Sequence, residues 1–249
     1  MGMGKMVKPL MMTFVYNERK YLPHAIEYYK RNNCDVYIID NYSNDGTWEW
    51  LQENNIPSHR LDTNGEFALK VLQADFMETL KKLKPNWVMY GAGDLYHIFD
   101  KPIDEALKEI EDNGYNAVNT QCYSAVNTGE VHKIPLPINY LNLKKYIRVR
   151  MIARWSEDYN INGDEVNFEG LNPCDTGISV NYGLCKTLDE WNDKLERRKK
   201  AWESGGADKK HGKHLVKYKT KDLIYPLKDY ENVKNLDILP LVKKTWFLI

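Results

Sequence analysis

Residues 37–47 read YIIDNYSNDGT, an apolar run that stops at an aspartate and continues into turn-forming residues. The run from residue 36 to Asp40 is rich in β-branched residues and has the length of a strand. The asparagines, serine and glycine that follow favour a turn, and Asp45 and Thr47 are residue types that commonly begin a helix. The stretch therefore predicts a buried strand, a polar turn and a helix start, with a carboxylate where the strand ends.

Strands and helices alternate through the rest of the first half. Further strands are predicted at residues 10–15, 87–90 and 115–120, and helices at residues 66–83, 103–111, 188–202 and around Leu22, Ile26 and Tyr29. Such alternation is typical of a largely parallel sheet covered by helices, so the predicted fold class is α/β. Residues 122–183 lack a regular period and are predicted to form a less regular second half.

Length, charge and cysteine content limit the class of protein. A chain of 249 residues with 43% hydrophobic residues can bury the core of one domain over residues 1–249. Lys+Arg and Asp+Glu are both 35, so no global charge indicates nucleic acid as a partner. No run approaches the roughly 20 apolar residues of a transmembrane segment. The four cysteines form no C-x-x-C pair, which favours reduced thiols and a cytoplasmic location.

Polar residues follow three of the predicted strands. In an open parallel sheet, ligands bind beyond the carboxyl ends of the strands, so these residues are candidates for one crevice. They are Tyr16, Asn17 and Glu18 after the first strand, Asp40 and Asn41 at the end of the second, and Gly93 and Asp94 after the third.

The chemistry of these side chains suits a nucleotide. A carboxylate such as Asp40 can accept a hydrogen bond from the imide N–H of a uracil ring, and Glu18 can bind ribose hydroxyls. Asp94 can hold a divalent cation against a diphosphate, because Mg²⁺ and Mn²⁺ prefer hard oxygen ligands that they share with phosphates. The glycine before Asp94 lets a ligand approach the backbone closely.

At these positions the sequence resembles family-2-type glycosyltransferases with the GT-A fold. The resemblance rests on YNE at residues 16–18, IIDNYSNDGT at residues 38–47 and a strand that ends in a short acidic motif. It extends over residues 10–99, and the segment at residues 181–199 is similar to a C-terminal segment of some members.

The resemblance implies a single GT-A-like domain that transfers a sugar from a nucleoside diphosphate to an acceptor hydroxyl, usually with Mn²⁺ or Mg²⁺ and with inversion. Residues 8–120 would form the nucleotide-sugar half and residues 121–249 the acceptor half, for a glycan, lipid-linked or protein-linked acceptor. By position, Tyr16, Glu18 and Asp40 would hold the nucleoside, and Asp94 would match the last aspartate of the metal-binding D-x-D motif.

The chain departs from the family pattern in two places. Ala92 stands where the motif has its first aspartate, and Asn181 stands where a histidine often precedes the Tyr-Gly pair. His97 is a possible additional metal ligand. Because both departures remove possible ligands, a metal-independent site stays open.

The second half is expected to supply the catalytic base. Asp164, with Glu165 second, follows Gly163 in an acidic segment without helical or strand period and is the preferred candidate. The competing carboxylates are Glu157, Asp158, Glu169 and Asp175.

Two other functions remain open. A nucleotidyltransferase would share the crevice but usually carries a glycine-rich loop after the first strand, which YNERKYLPH lacks. A non-catalytic carbohydrate- or nucleotide-binding protein derived from the same fold would explain the lost aspartate.

Basic residues between 194 and 213 form either a loop that closes over a diphosphate or a solvated helix face.

Overall fold

The computed structural model describes residues 8–63, 68–91, 95–126, 140–158, 171–181, 196 and 230–232. The helices are α1 (Leu22–Arg31), α2 (Thr47–Glu53), α3 (Leu69–Leu83) and α4 (Ile103–Asp112). The strands are β1 (Pro9–Val15), β2 (Asp35–Asp40), β3 (Ser58–Arg60), β4 (Trp87–Tyr90), β5 (Leu95–Ile98), β6 (Ala117–Val126), β7 (Tyr140–Arg154), β8 (Pro173–Asn181) and β9 (Tyr230–Asn232).

These strands form one mixed sheet in the order β3-β2-β1-β4-β7-β6-β8-β5, with β9 paired to β7. The first four strands of that order, which come from the first half of the chain, are mutually parallel. Strand β7 joins them antiparallel to β4, and β6 and β8 are parallel to each other beyond it. The predicted α/β class is confirmed, and its parallel part is the part that carries the predicted crevice.

Helices cover both faces of the parallel part of the sheet. Met11 packs in one buried cluster with side chains of α1, α2 and α4, whereas its neighbour Met12 packs in a second cluster with Phe76 and Leu80 of α3. Successive side chains of a strand point to opposite faces, so β1 is buried on both. This explains why LMMTFV reads as a continuous apolar run, as strands of covered parallel sheets do.

The sequence predicted the elements of the first half closely. Strands β1, β2 and β4 and helices α1, α2 and α4 lie where they were expected, and Pro23 occupies the first turn of α1. The predicted helix at residues 66–83 is α3, although residues 66–67 lie outside the described residues. The structure adds two short strands, β3 and β5, that the sequence did not indicate.

The prediction of an irregular segment at residues 122–183 was wrong for much of its length. Strand β7 and strand β8 lie within it, and β6 extends into it as far as Val126. These strands form because β4, β6 and β5 supply hydrogen-bonding partners that are distant in sequence. Apart from Glu196, which is helical, the helix predicted at residues 188–202 lies outside the described residues.

In the described parts of the chain, no helix combines the length and the apolar composition that a membrane span requires.

Candidate functional site

The ends of β1 and β2 lie side by side, as the sequence predicted. Val15 and Asp40 are partners in the parallel register, and the backbone N–H of Asn41 donates to the carbonyl of Val15 over 2.8 Å. The chain then continues from β1 into Tyr16 and from β2 into Asn41. The structure therefore brings the first two groups of predicted site residues to one edge of the sheet.

Asp40 is fully buried, with 0% of its surface exposed. Its Oδ2 accepts hydrogen bonds from the backbone N–H of Ser43 at 3.1 Å and from Nε of Arg60 at 3.0 Å. Its Oδ1 is also buried, and it has no hydrogen-bond partner among the described residues. A buried acceptor without a donor costs about 1 to 3 kcal/mol, so a hydrogen-bond donor that reached this oxygen would recover that cost.

Arg60 holds the carboxylate from the neighbouring strand. The two residues are register partners between β2 and β3, and Nη2 of Arg60 also donates to the carbonyl of Ser43 over 3.0 Å. The guanidinium lies against the rings of Tyr42 and Trp48, with its central carbon 4.8 Å and 4.9 Å from their centroids. Arg60 was not among the predicted site residues, because β3, the strand that places it opposite Asp40, has no signal in the sequence.

Asn41 is buried as well and connects β2 to the segment after β3. Its Oδ1 accepts a hydrogen bond from the Thr63 hydroxyl at 2.7 Å. The backbone N–H of Leu61 donates to the carbonyl of Asp40 over 3.0 Å in the same region. These bonds fix the backbone at the end of β2, which gives Asn41 a structural role in shaping the edge where it was predicted to bind ligand.

The loop after β1 is tied to the loop after β2 by side-chain hydrogen bonds. The N–H of Asn17 donates to the Ser43 hydroxyl at 2.9 Å. The Asn17 side chain donates to Oδ1 of Asn44 and accepts from the Asn44 backbone N–H, each over 2.9 Å. Asn17 adopts a left-handed conformation, with φ of 56°, which asparagine tolerates better than most residues. The asparagine of YNE therefore organises the loop.

Glu18 lies at the start of α1 in the same loop. Its carbonyl accepts from the backbone N–H groups of Tyr21 and Leu22 at 3.0 Å and 2.9 Å, and its own N–H donates to the Thr47 hydroxyl at 3.1 Å. Helix α2 begins at Thr47, as predicted, but its N-cap residue is Gly46, and Asp45 precedes the cap with Oδ1 accepting from the N–H of Thr47 over 3.0 Å. Glu18 is thus held at the crevice edge by its backbone, next to the half-buried Tyr16.

The third predicted strand end lies on the other side of β1. Tyr90 of β4 is the register partner of Met12, and the N–H of Gly91 donates to the Met12 carbonyl over 3.2 Å. A Cβ at Gly91 would lie 3.0 Å from the sulfur of Met11, so any side chain here would require the Met11 side chain to shift. Gly93 and Asp94 lie outside the described residues.

His97 occupies the core beneath α1. It is fully buried, and its Nε2 donates to the carbonyl of Tyr90 over 2.9 Å. Its backbone carbonyl accepts from the Tyr28 hydroxyl at 2.7 Å. Burial lowers the pKa of His97 to about 4, so the ring is neutral at pH 7. Because Nε2 is engaged, a metal could bind through this nitrogen only at the expense of the bond to Tyr90.

The described residues contain no cluster of three His, Cys, Asp or Glu that could hold a metal ion. One carboxylate oxygen of Asp40, Oδ2, pairs with Arg60. A divalent cation therefore does not find a complete set of protein ligands in the described part of the site.

The predicted bases Asp164 and Glu165 lie outside the described residues, as does the alternative Glu169. Glu157 is exposed and pairs with Lys84 at 2.7 Å, close to the start of β4 and at the opposite edge of the sheet from the crevice. Asp175, which accepts from Asn119 over 2.8 Å, lies in β8. Asp158 is the next residue in the chain and lies at the same edge of the sheet. This location, away from the crevice, disfavours both Glu157 and Asp158 as the base.

Comparison with known proteins places the chain in a family. Residues 12–159 match the model described as glycosyl transferase family 2. This match includes the end of β1 from residue 12, all of β2 and β4, and the segments that carry Tyr16, Glu18 and Asp40. No curated protein sequence shows significant similarity to the chain.

Solved structures of S. aureus TarS are similar to the chain. The complex of TarS residues 1–349 with UDP is 17% identical, covers 59% of this chain and 47% of that chain, and has a TM-score of 0.42. The corresponding complex with UDP-GlcNAc is 19% identical, covers 59% of this chain and 45% of that chain, and has a TM-score of 0.42. A further structure of TarS is 14% identical, covers 84% of this chain and 42% of that chain, and has a TM-score of 0.44. The chain thus spans less than half the length of these three structures.

Proposed function

Because the chain belongs to glycosyl transferase family 2, we propose that it transfers a sugar from a uridine-diphosphate-linked donor to an acceptor hydroxyl. The nucleotide lies beyond the ends of β1, β2 and β4, where the sheet of a GT-A-like fold leaves a crevice. Action in the cytoplasm on a glycan, lipid-linked or protein-linked acceptor in glycan biosynthesis is part of this proposal.

The observation that carries the choice of uridine is the unpaired Oδ1 of Asp40. The imide N–H of uracil would supply the missing donor, and a hydrogen bond to a charged acceptor is worth roughly 1.5 to 3 kcal/mol. Because this oxygen is buried, an incoming base must displace a neighbouring group to reach it. Adenine and guanine differ from uracil in shape and in the position of their donors, so they would fit this acceptor less well.

Tyr16 and Glu18 complete the nucleoside site in this proposal. Both follow β1 and are half buried, and the loop that contains them is fixed to the β2 loop through Asn17 and Thr47. A carboxylate at Glu18 can accept from ribose hydroxyls, and the ring of Tyr16 can pack against the base. Such a preformed site loses less conformational entropy on binding than a mobile loop would.

A divalent cation, Mn²⁺ or Mg²⁺, is the proposed cofactor, and Asp94 is its proposed protein ligand. The cation would neutralise charge on the leaving diphosphate when bound. Since the described residues offer no complete ligand set, most of the remaining ligands would have to be phosphate oxygens and water, which is common for Mg²⁺. Basic residues between 194 and 213 are an alternative source of positive charge.

For the chemical step, we assign the base to Asp164, with Glu165 as the second candidate. The base accepts the proton of the acceptor hydroxyl while the hydroxyl oxygen bonds to the anomeric carbon and the bond to the diphosphate breaks. With the base opposite the diphosphate, the configuration of the anomeric carbon inverts.

The experiment is a turnover assay with a panel of UDP-sugars and Mn²⁺ that measures UDP release with and without candidate acceptors. The proposal expects UDP release, at least by slow hydrolysis of one donor. A nucleotidyltransferase would instead release pyrophosphate from UTP and a sugar 1-phosphate. A protein that binds UDP-sugars and never releases UDP would be a binding protein, and that result would refute the proposed transfer.

A further inference from the structure

We propose that Arg60, which packs against Tyr42 and Trp48, is a positioning residue that makes the nucleotide site select uridine over cytidine. It acts through Asp40 and does not itself touch the base. This inference rests on the proposed function, because it presumes that Asp40 meets the pyrimidine ring.

The contacts of Arg60 are directed at the end of β2. Nε donates to Oδ2 of Asp40 over 3.0 Å, and Nη2 donates to the carbonyl of Ser43 over 3.0 Å. The N–H of Ser43 in turn donates to the same Oδ2 at 3.1 Å. Three groups therefore share one small network, and each carboxylate oxygen of Asp40 has a distinct environment. Oδ2 is committed within the protein, and Oδ1 remains for a ligand.

The guanidinium packs against two aromatic rings. Its central carbon lies 4.8 Å from the centroid of Tyr42 and 4.9 Å from that of Trp48, within the range of cation–π attraction. Only 27% of the Arg60 side chain is exposed, which strengthens its interaction with the fully buried Asp40. A flexible lysine ammonium could not reproduce both the stacking and the pair of directed bonds.

Tyr42 occupies a backbone conformation that is unfavourable for it. Its φ is 53°, in the left-handed region, and 49% of the residue is exposed. A bulky residue in this region is an outlier that costs of order 1 kcal/mol or more, and such strain concentrates at functional sites. Here the strained residue covers one face of Arg60. The cost is consistent with a role for the ring in holding the guanidinium.

This arrangement explains selectivity between two pyrimidines of the same shape. Uracil carries a proton on N3 and donates to an ionised carboxylate, whereas N3 of cytosine has a lone pair and is repelled by it. Arg60 keeps Oδ2 turned inward and leaves Oδ1 as the oxygen that can accept from a ligand. Without Arg60, the carboxylate could rotate, and Oδ1 would no longer be held where the N3 proton of uracil reaches it.

The test is calorimetric titration of UDP and CDP into the parent protein and into Arg60→Met, Arg60→Lys and Tyr42→Gly, all with the same Mn²⁺ concentration. We expect the parent to prefer UDP by roughly 10- to 100-fold, the range for one charge-assisted hydrogen bond. Arg60→Met should reduce the ratio to near unity, and Arg60→Lys should give an intermediate ratio. Tyr42→Gly should lower the ratio without loss of stability, because glycine adopts this φ freely.

Arg31→Met is the matched control, since Arg31 is an exposed residue of α1 that pairs with Glu27. It should keep the parental ratio. If Arg60 had a purely structural role, Arg60→Met would weaken the binding of UDP and of CDP equally. An unchanged ratio of UDP to CDP affinity in Arg60→Met would therefore overturn the inference, while UDP-dependent transfer would still stand. If Arg60→Met does not fold, the ratios of the other two variants decide. A parent that does not prefer UDP would overturn both this inference and the uridine part of the proposed function.

Discussion

Asn17 and Asn44 exchange two hydrogen bonds of 2.9 Å across the gap between the β1 and β2 loops. One joins the two side chains, and the other joins the side chain of Asn17 to the backbone of Asn44. Both residues lie in segments without regular structure, beyond Val15 and Asp40, where the pairing of β1 with β2 ends. The two bonds therefore join the loops where backbone pairing between the strands has stopped. Side chains therefore hold the two loops together at this edge of the sheet, and the strands determine where the loops begin.

Replacing Asn17 with glycine should loosen this edge. Glycine keeps the left-handed conformation that Asn17 adopts, so the change removes only the side-chain bonds. We expect the free energy of unfolding to fall by about 1 to 2 kcal/mol, as for two partly exposed hydrogen bonds, and UDP affinity to fall with it. Urea denaturation and nucleotide titration measure the two effects.

Asn33→Gly is the control for this variant. Asn33 has a similar φ of 58° and a side-chain bond of 3.1 Å to Asp104, but it follows α1, away from the crevice. It should lose some stability and keep the affinity for UDP. Equal losses of affinity in both variants would contradict the role assigned to Asn17.

Asp94→Ala should remove the effect of Mn²⁺ on donor binding while leaving the fold intact. The expected result is that UDP-sugar affinity becomes the same with Mn²⁺ and with EDTA, because the proposed ligand is gone. Titrations under both conditions measure the change, and circular dichroism monitors the fold. If the parent turns over equally well in EDTA, the metal proposal is wrong, and the basic residues near 197–213 become the candidates for charge neutralisation.

Asp164→Asn should separate catalysis from binding. The amide cannot accept the proton of the attacking hydroxyl, so kcat should fall by roughly 10²- to 10⁴-fold, the contribution of general-base catalysis. Donor affinity should stay at the parental value, because the base does not contact the nucleotide. Steady-state kinetics and titration provide the two numbers. Turnover at the parental rate would exclude Asp164 and pass the test to Glu165 and then Asp175.

His97 should make stability depend on pH. Its folded pKa of about 4 lies below the value of about 6.5 in an unfolded chain, so the unfolded state binds more protons between these values. Above pH 6.5 the residue is neutral in both states and has no effect; as pH falls toward 4, it destabilises the folded state by up to about 3 kcal/mol.

His97→Gln tests this directly, because glutamine can still donate to the carbonyl of Tyr90. The variant should lose the part of the pH dependence that lies between pH 4 and 6.5, as measured by urea denaturation at several pH values. Parallel curves for parent and variant would show that His97 does not titrate as the buried position requires.

The first half of the fold was predictable because its elements carry local signals. Strand β1 is a continuous apolar run, and α4 has apolar residues at helical spacing. Strand β3 is only three half-buried residues, SHR, and it forms because β2 offers a free edge. In β7, the apolar and basic residues at positions 147–150 alternate, which is a local strand signal.

The site was also predictable only in part, because some of its residues carry a local sequence signal and others do not. Asp40 could be identified because it ends an apolar run, and its burial and position beside the end of β1 follow from the parallel register. Arg60 could not be identified, because its role depends on pairing between β2 and β3 and on rings that precede it by 12 and 18 residues in the sequence. Local patterns show which residues are available, whereas long-range pairing determines which of them meet.

The central claim, a uridine diphosphate site built on Asp40, is tested most directly by titrating UDP, ADP and GDP with Mn²⁺ into the parent and into Asp40→Ala. Asp35→Ala is the control, since Asp35 lies at the other end of β2 in an exposed ion pair with Lys8. We predict that the parent binds UDP most tightly and that Asp40→Ala weakens UDP by roughly 1.5 to 3 kcal/mol, whereas Asp35→Ala does not. Equal affinities for the three nucleotides in the parent, or parental UDP affinity in Asp40→Ala, would contradict the claim.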